Sequence, residues 1–300
     1  MHRTTRHQAL RAFCALALAV LAGACDPPER SVVPDAPAAR GPSLLSLSPE
    51  VSQLLVELGL AGDVVGADRD SLHLRELALA ADLGPGADDS ARLARALRAE
   101  RAIGLGDAHG LALARALEAE GVLTTLLAPR SANEVVQAVH RLGELLDRRT
   151  RAAAVAARMT ADVSRIAVRR DGRERLVAVW LLERDPPRAV GGEGLLHELL
   201  ELAGAENAFH GPREEQVDAG ESALAGLAFD VLLDASGVGG AGPARRGAAG
   251  ARVVVVPREL ARLPALDLPT RVRVLHALLY GEGEGGTTAN GRLTDAATGR

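Results

Sequence analysis

The sequence predicts an α/β protein in which two lobes, each built on a small and mainly parallel sheet, are joined by one long rigid helix and enclose a ligand cleft. Three observations predict it. Short apolar runs alternate with amphipathic helical stretches, the pattern of α/β proteins. The order of these elements in the first half recurs loosely in the second, most clearly where QLLVELGLAGDVVG stands beside ELLELAGAENAFHG. Between the halves, residues 131–169 contain neither Gly nor Pro except Gly143.

Taken in order, 44–47 reads as a strand that meets Ser48-Pro49, where Ser48 suits a helix cap and Pro49 the first helical position. The helix over 50–58 is stopped by Gly59, and Val64-Val65 begins the next strand. A helix over 91–100, a strand over 102–105, a helix over 111–120 ended by Gly121 and a strand over 122–127 complete a first lobe, 43–130. In the connection, 131–170, Val135, Val139, Leu142 and Leu146 keep helical spacing, so one helix would approach ~60 Å at about 1.5 Å per residue. A break near Gly143 or Asp147 is the alternative, because Gly inside a helix costs up to about 1 kcal/mol. The second lobe, 171–280, holds a strand over 176–181, a helix over 194–203 stopped at Gly204, a short helix over 222–227, and strands over 231–233 and 253–256. Open parallel sheets bind ligands beyond the carboxyl ends of their strands, which puts the cleft between the lobes.

The N-terminus carries the most specific local signal. Arg3, Arg6 and Arg11 precede an uncharged stretch over 12–24, too short to cross a hydrocarbon core of roughly 30 Å comfortably as a helix. It reads as a signal peptide, 1–24. Leu21-Ala22-Gly23-Ala24-Cys25 sets small residues before a cysteine, as a lipoprotein cleavage site requires. Cys14 falls in the removed segment, so Cys25 would be the one mature thiol, with acylation its evident use. A plain secretory signal with an incidental Cys25 is the competing reading. The stretch 25–42 contains five prolines and no hydrophobic periodicity, the composition of a tether between lipid and domain. At the other end, 281–300 has almost nothing apolar to bury and reads as disordered.

A hydrophobic content of 47% is enough for real cores, and a net charge of −4 argues against a nucleic-acid partner. No G-x-S-x-G elbow, P-loop or H-E-x-x-H occurs, so no catalytic residue, cofactor or metal site is expected and the chain does not read as an enzyme. The spacing of Gly104, Gly106 and Gly110 is wrong for a dinucleotide loop. A tight cleft-lining turn fits better, with Asp107 and His109 near a ligand; a hydrogen-bonded loop histidine is the plainer alternative for His109. Ser48 and Pro49 stand where the first strand opens toward the cleft, and free N–H groups at that helix start suit a ligand carboxylate or amide. Simple capping explains the same residues.

The order and spacing of these segments resemble the binding proteins for cobalamin, haem and ferric siderophores, in which one long helix joins two lobes. LLSLSPEVSQLLVELGL over 44–60 followed by Asp63-Val64-Val65-Gly66 is similar to that family's opening strand, Ser-Pro turn and first helix. Trp180, Asp185-Pro186, Gly191-Gly192, the helix over 195–202 and Gly204-Ala205-Glu206-Asn207 resemble its second-lobe opening. The resemblance covers roughly 44–280. It implies a monomeric substrate-binding lipoprotein, exported, lipid-anchored and facing the periplasm or cell exterior. Its partners would be the permease subunit of an ABC importer and a small molecule such as a corrinoid, haem or ferric siderophore. It also implies cleft positions for Asp68, Arg69, Trp180 and Arg262. Asp68, Arg69 and Asp70 would equally form a solvated turn, Trp180 core packing and Arg262 a surface loop. Relatives dock through one acidic side chain on each lobe. The matching N-lobe position is Arg92, of reversed charge, and the C-lobe position falls on Ser222 beside Glu221.

Overall fold

The structure, a computed structural model, describes residues 41–168, 174–237 and 250–281. The signal segment, Cys25, nearly all of the tether and the tail beyond Gly281 lie outside the described residues. Two sheets organise the chain. The first has strands β1 (Leu44–Ser46), β2 (Val64–Ala67), β3 (Ala81–Asp82), β4 (Arg101–Leu105) and β5 (Leu123–Leu127) in the order β3-β2-β1-β4-β5, every pairing parallel. Helices α1 (Pro49–Glu57), α2 (Ala87–Ala96) and α3 (Ala108–Ala119) complete it. Strands β1 and β4 are buried along nearly their whole length, as central strands of a sheet covered on both faces must be.

The second sheet has strands β6 (Val177–Arg184), β7 (Pro187–Val190), β8 (Glu206–Asn207), β9 (Gln216–Asp218), β10 (Val231–Asp234) and β11 (Arg252–Val255). Its order is β11-β10-β6-β7-β9, with β8 also pairing β6. Helices α6 (Leu195–Leu202), α7 (Glu221–Ala225) and α8 (Leu268–Tyr280) accompany it. The parallel members β8-β6-β10-β11 repeat the first sheet's β2-β1-β4-β5. The antiparallel pairings of β7 with β6 and β9 are an addition to that repeat.

The connection is two helices, not one strut. Helix α4 (Ala132–Leu145) ends at Leu146, Asp147 adopts a left-handed φ of 54°, and α5 (Arg149–Val168) turns back to pack on α4. Asp and Asn are among the non-glycine residues that tolerate this region, so the break needs neither Gly nor Pro. Gly143 serves the return: a β-carbon there would stand 2.2 Å from that of Ala152. Twenty residues of α5 give about 30 Å, half the length expected of a continuous helix. This helix still crosses between the halves, packing on α4 on one side and on α6 and α8 on the other. One hydrophobic cluster accordingly runs from Leu44 and Leu55 through Val155 and Met159 to Leu199 and Leu275.

Candidate functional site

Of the five turns that leave the first sheet at its carboxyl edge, four begin near Ser48, Asp68, Asp107 and Arg130 and the fifth follows β3 at its rim. Two of them touch the second half directly. Glu50, in the first turn of α1, accepts hydrogen bonds from the backbone N of Leu266 at 2.6 Å and from Nη2 of Arg271 at 2.8 Å. After β5, Arg130 donates to Glu215 with its Nε at 3.1 Å and its Nη2 at 2.5 Å, and the backbone N of Ala132 donates to Glu198 at 2.6 Å. The carboxyl edge of the first sheet therefore faces the second half, and the groups between these two bridges form the candidate site.

The first-half residues named from sequence line this edge in the strand order β2-β1-β4. Ser48 caps α1, its Oγ accepting from the N of Val51 at 3.4 Å, with Pro49 following. Ser46, fully buried, ties the neighbours together: its carbonyl accepts from the N of Asp68 at 3.1 Å, and its Oγ donates to the carbonyl of Ser48 and accepts from Ser52. Burial pushes the carboxyl of Asp68 up, against a hydrogen bond from Ser71 that pulls it down, with Asp70 adding repulsion. Arg69 pairs with Asp82 at 2.9 Å across the ends of β2 and β3. Asp107 caps α3, accepting from the N of Gly110 at 2.7 Å, while His109 is exposed on the same turn. The glycines of this turn answer to packing. A β-carbon on Gly110 would stand 1.9 Å from the Leu105 carbonyl, and one on Gly106 2.8 Å from that of Ala128.

On the second half, Arg262 is exposed at the end of a single 3-10 turn that follows β11, four residues before Leu266 reaches Glu50. Trp180 does not join it. The side chain is 0% exposed inside the main core cluster, so the cleft position expected for it is corrected. The reason is the length of β6, which continues past Leu181 to Arg184 and leaves Trp180 in mid-strand beside Leu233. The strand end belongs instead to Arg184, whose Nη2 pairs with Asp234 and whose Nε donates to Ser236 at 3.0 Å. Asp234 is 4% exposed; burial opposes its ionisation, but hydrogen bonds from Ser236 and Arg184 outweigh that and hold its carboxyl below the usual range. Of the residues named for docking, Arg92 is exposed on α2 and paired with Asp89, and Glu221 is exposed in the first turn of α7.

Sequence reading missed the charges that bind the halves. Arg271, 3% exposed, donates from Nε to Asp267 at 2.5 Å and from Nη1 to the carbonyls of Leu260 and Arg262 at 2.9 and 2.7 Å, besides its bond to Glu50. Burial pushes the Glu50 carboxyl up, Asp267 adds to this, and Arg271 works against both. A group raised on folding contributes stability that is full below its unfolded pKa and is lost as pH rises through the folded one. Glu50→Gln, neutral at every pH, should therefore gain in melting temperature on the wild type as pH rises from about 4 to about 7. A difference that stays flat over that interval would show that Glu50 titrates at its ordinary value.

No family model matches the chain, and no curated protein matches its sequence. Solved structures do match its fold. An ABC transporter substrate-binding protein of Listeria monocytogenes superposes with a TM-score of 0.64 at 17% identity, over 80% of this chain and 99% of that one. A periplasmic haem-binding protein of Pseudomonas aeruginosa gives 0.59 at 22% identity, over 81% and 94%. The periplasmic vitamin B12-binding protein of Vibrio cholerae gives 0.57 at 13% identity, over 80% and 97%. Between residue 41 and residue 281, the chain has the two-lobed α/β fold of these periplasmic and ABC-transporter substrate-binding proteins.

Proposed function

We propose that this chain is the substrate-binding lipoprotein of an ABC importer, a receptor and not an enzyme. It captures a corrinoid, haem or ferric-siderophore-like ligand between its lobes and delivers it to the permease. The observation that carries this reading is the shared fold, with the carboxyl edge of the first sheet turned toward the second half. Ser48, Pro49, Asp68, Arg69, Asp107, His109 and Arg262 are the ligand-facing groups, and Arg92 and Glu221 the docking positions. Phe209 and Phe229 are 8% exposed in a core cluster, Trp180 is core, and the hydroxyl of Tyr280 donates to the Gly204 carbonyl at 2.7 Å. Among the described residues no Trp, Tyr or Phe ring is thus offered to a flat macrocycle for stacking. Charged and hydrogen-bonding groups remain, which favours a ferric chelate within the three classes.

Thermal-shift measurement with haemin, cyanocobalamin and ferric siderophores tests the reading. A ligand present at about 100 times its Kd adds about 2.7 kcal/mol, several degrees for a domain of this size. No shift with any of the three classes would remove the proposal.

Anchoring is a separate part of the reading, with 1–24 as the cleaved signal and 25–42 as the tether. Among the described residues no helix is long and apolar enough to cross a membrane. Cys25→Ser should abolish labelling by a fatty-acid analogue and move the protein from the membrane to the soluble fraction. Continued labelling of the variant would overturn the lipid anchor and leave ligand capture untouched.

A further inference from the structure

Among the described residues six large apolar side chains are exposed, and they divide between the two ends of the strands. Leu111 in the first turn of α3, Val255 at the end of β11 and Leu263 just past the 3-10 turn that follows lie at the carboxyl ends, on the side of the candidate site. Leu79, Leu123 and Leu145 lie at the opposite, amino edge of the first sheet. Leu123 opens β5, opposite Arg101 at the start of β4. Leu79 stands two residues before β3, after a 3-10 turn, Arg75–Leu77, that packs on the 3-10 turn Ala61–Asp63 leading into β2. Leu145 ends α4, and Arg148, three residues on, pairs with Asp63 at 3.9 Å. Leu79 is 101% exposed, Leu123 61% and Leu145 37%. A single exposed leucine needs no explanation, but three along one edge do. The chain enters the fold at this same edge. The carbonyl of Ser43 accepts from the backbone N of Glu100 at 2.9 Å and of Arg101 at 3.2 Å, and Gly41 lies so close to Asp63 that a β-carbon there would stand 2.8 Å from its Oδ2. The tether from Cys25 therefore joins the fold beside the three leucines. Charges along the edge come in opposite pairs, Arg148 with Asp63 and Arg149 with Asp147 at 3.8 Å.

We infer that the amino edge of the first sheet, through Leu79, Leu123 and Leu145, is a lipid-contacting surface that lies on the bilayer in which Cys25 is anchored. This rests on the lipid-anchor part of the reading above. The eighteen residues 25–42 reach about 23 Å as a flexible coil and about 55 Å as an extended Pro-rich strand. At that range the edge meets the bilayer at an effective concentration of about a millimolar, so a contact too weak to hold free protein on a membrane suffices once the lipid is inserted. Five strands at about 4.8 Å spacing set Leu79 and Leu123 roughly 19 Å apart, a base broad enough to fix the tilt of the lobe. Leucine side chains gain at such an interface in proportion to the area they bury, without need of anionic lipid. All strands of the first sheet are parallel, so Ser48, Asp68 and Asp107 at their other ends then face away from the membrane. The anchored receptor waits with its site toward arriving ligand and lifts this edge to reach a permease.

The test is spin-label accessibility in the acylated mature protein, reconstituted in phosphatidylcholine vesicles. With Cys25 blocked by its lipid, Leu79→Cys, Leu123→Cys, Leu145→Cys and, as a carboxyl-edge control, Leu111→Cys each supply one free thiol for the label. Collision with oxygen relative to a water-soluble nickel chelate, a ratio that cancels local crowding, should be at least about threefold higher at 79, 123 and 145 than at 111. Adding anionic phosphatidylglycerol should leave the ratios unchanged. Leu79→Ser with Leu123→Ser, both at exposed positions, should return the label at 145 to the ratio found at 111, with circular dichroism showing that the variant folds. Equal ratios at all four positions, or a contact made only with anionic lipid, overturn this inference and leave the lipid anchor standing. If a fatty-acid analogue does not label Cys25, the anchor reading falls and takes this inference with it.

Discussion

Trp180→Ala is expected to lower the unfolding free energy by about 3–5 kcal/mol, the cost of truncating a large buried aromatic where the surroundings relax only partly. The side chain is fully buried, on a strand paired on both flanks, in one cluster with Leu195, Leu199, Val231, Leu233 and Leu275. Such a site collapses poorly, because moving β6 to fill the void would break its ladders with β7 and β10. Trp180→Phe is a sharper variant. It removes volume, but it also removes an indole N–H that finds no acceptor among the described residues. A buried donor without a partner costs about 1–3 kcal/mol, so the two effects oppose and the net change should stay within about 1.5 kcal/mol. Urea unfolding of both variants checks this. A Trp180→Ala protein as stable as the wild type but deficient in ligand binding would return Trp180 to the cleft.

That residue also shows where local sequence signals stop. The stretch 176–181 reads as a complete strand, since Glu183 and Arg184 look like the start of a loop. Arg184 can remain in the sheet, half-buried, only because Asp234 meets it from 50 residues away. No local pattern announces such a partner. Four of the five first-lobe strands were legible because each is a short apolar run bounded by a glycine, a cap or a helix, which is information contained within about ten residues; β3, only two residues long, went unread. Helix α2 was read four residues late: its first turn, Ala87 to Ser90, is polar, and periodicity starts only at Ala91. Strands β7 and β9 went unread because the hairpin they form interrupts the repeat that guided the second half. The site was legible in the same uneven way. Turns at strand ends could be named, whereas the charges that hold the two halves together could not.

The largest of those hidden effects should appear in Arg271→Met. Glu50 and Asp267 would then face each other without the guanidinium between them, and the carbonyls of Leu260 and Arg262 would lose a donor. Breaking a buried ion pair by removing one partner costs about 3–5 kcal/mol, chiefly through the charge left behind. The carboxylates of Glu50 and Asp267 keep 20% and 27% of their side-chain exposure and can hydrate in part, so about 3 kcal/mol is expected. The loss should shrink as pH falls and the two acids take up protons. It should also be largely recovered in the triple variant Arg271→Met, Glu50→Gln, Asp267→Asn, which leaves no unpaired charge. Since Glu50 and Arg271 lie 221 residues apart on opposite halves, the single variant should also loosen the lobes, read by solution scattering as a larger radius of gyration. A single variant within about 1 kcal/mol of the wild type, the range of an exposed pair, would mean that these charges contribute little to holding the halves in place. The union would then rest on α5 and the hydrophobic cluster around it.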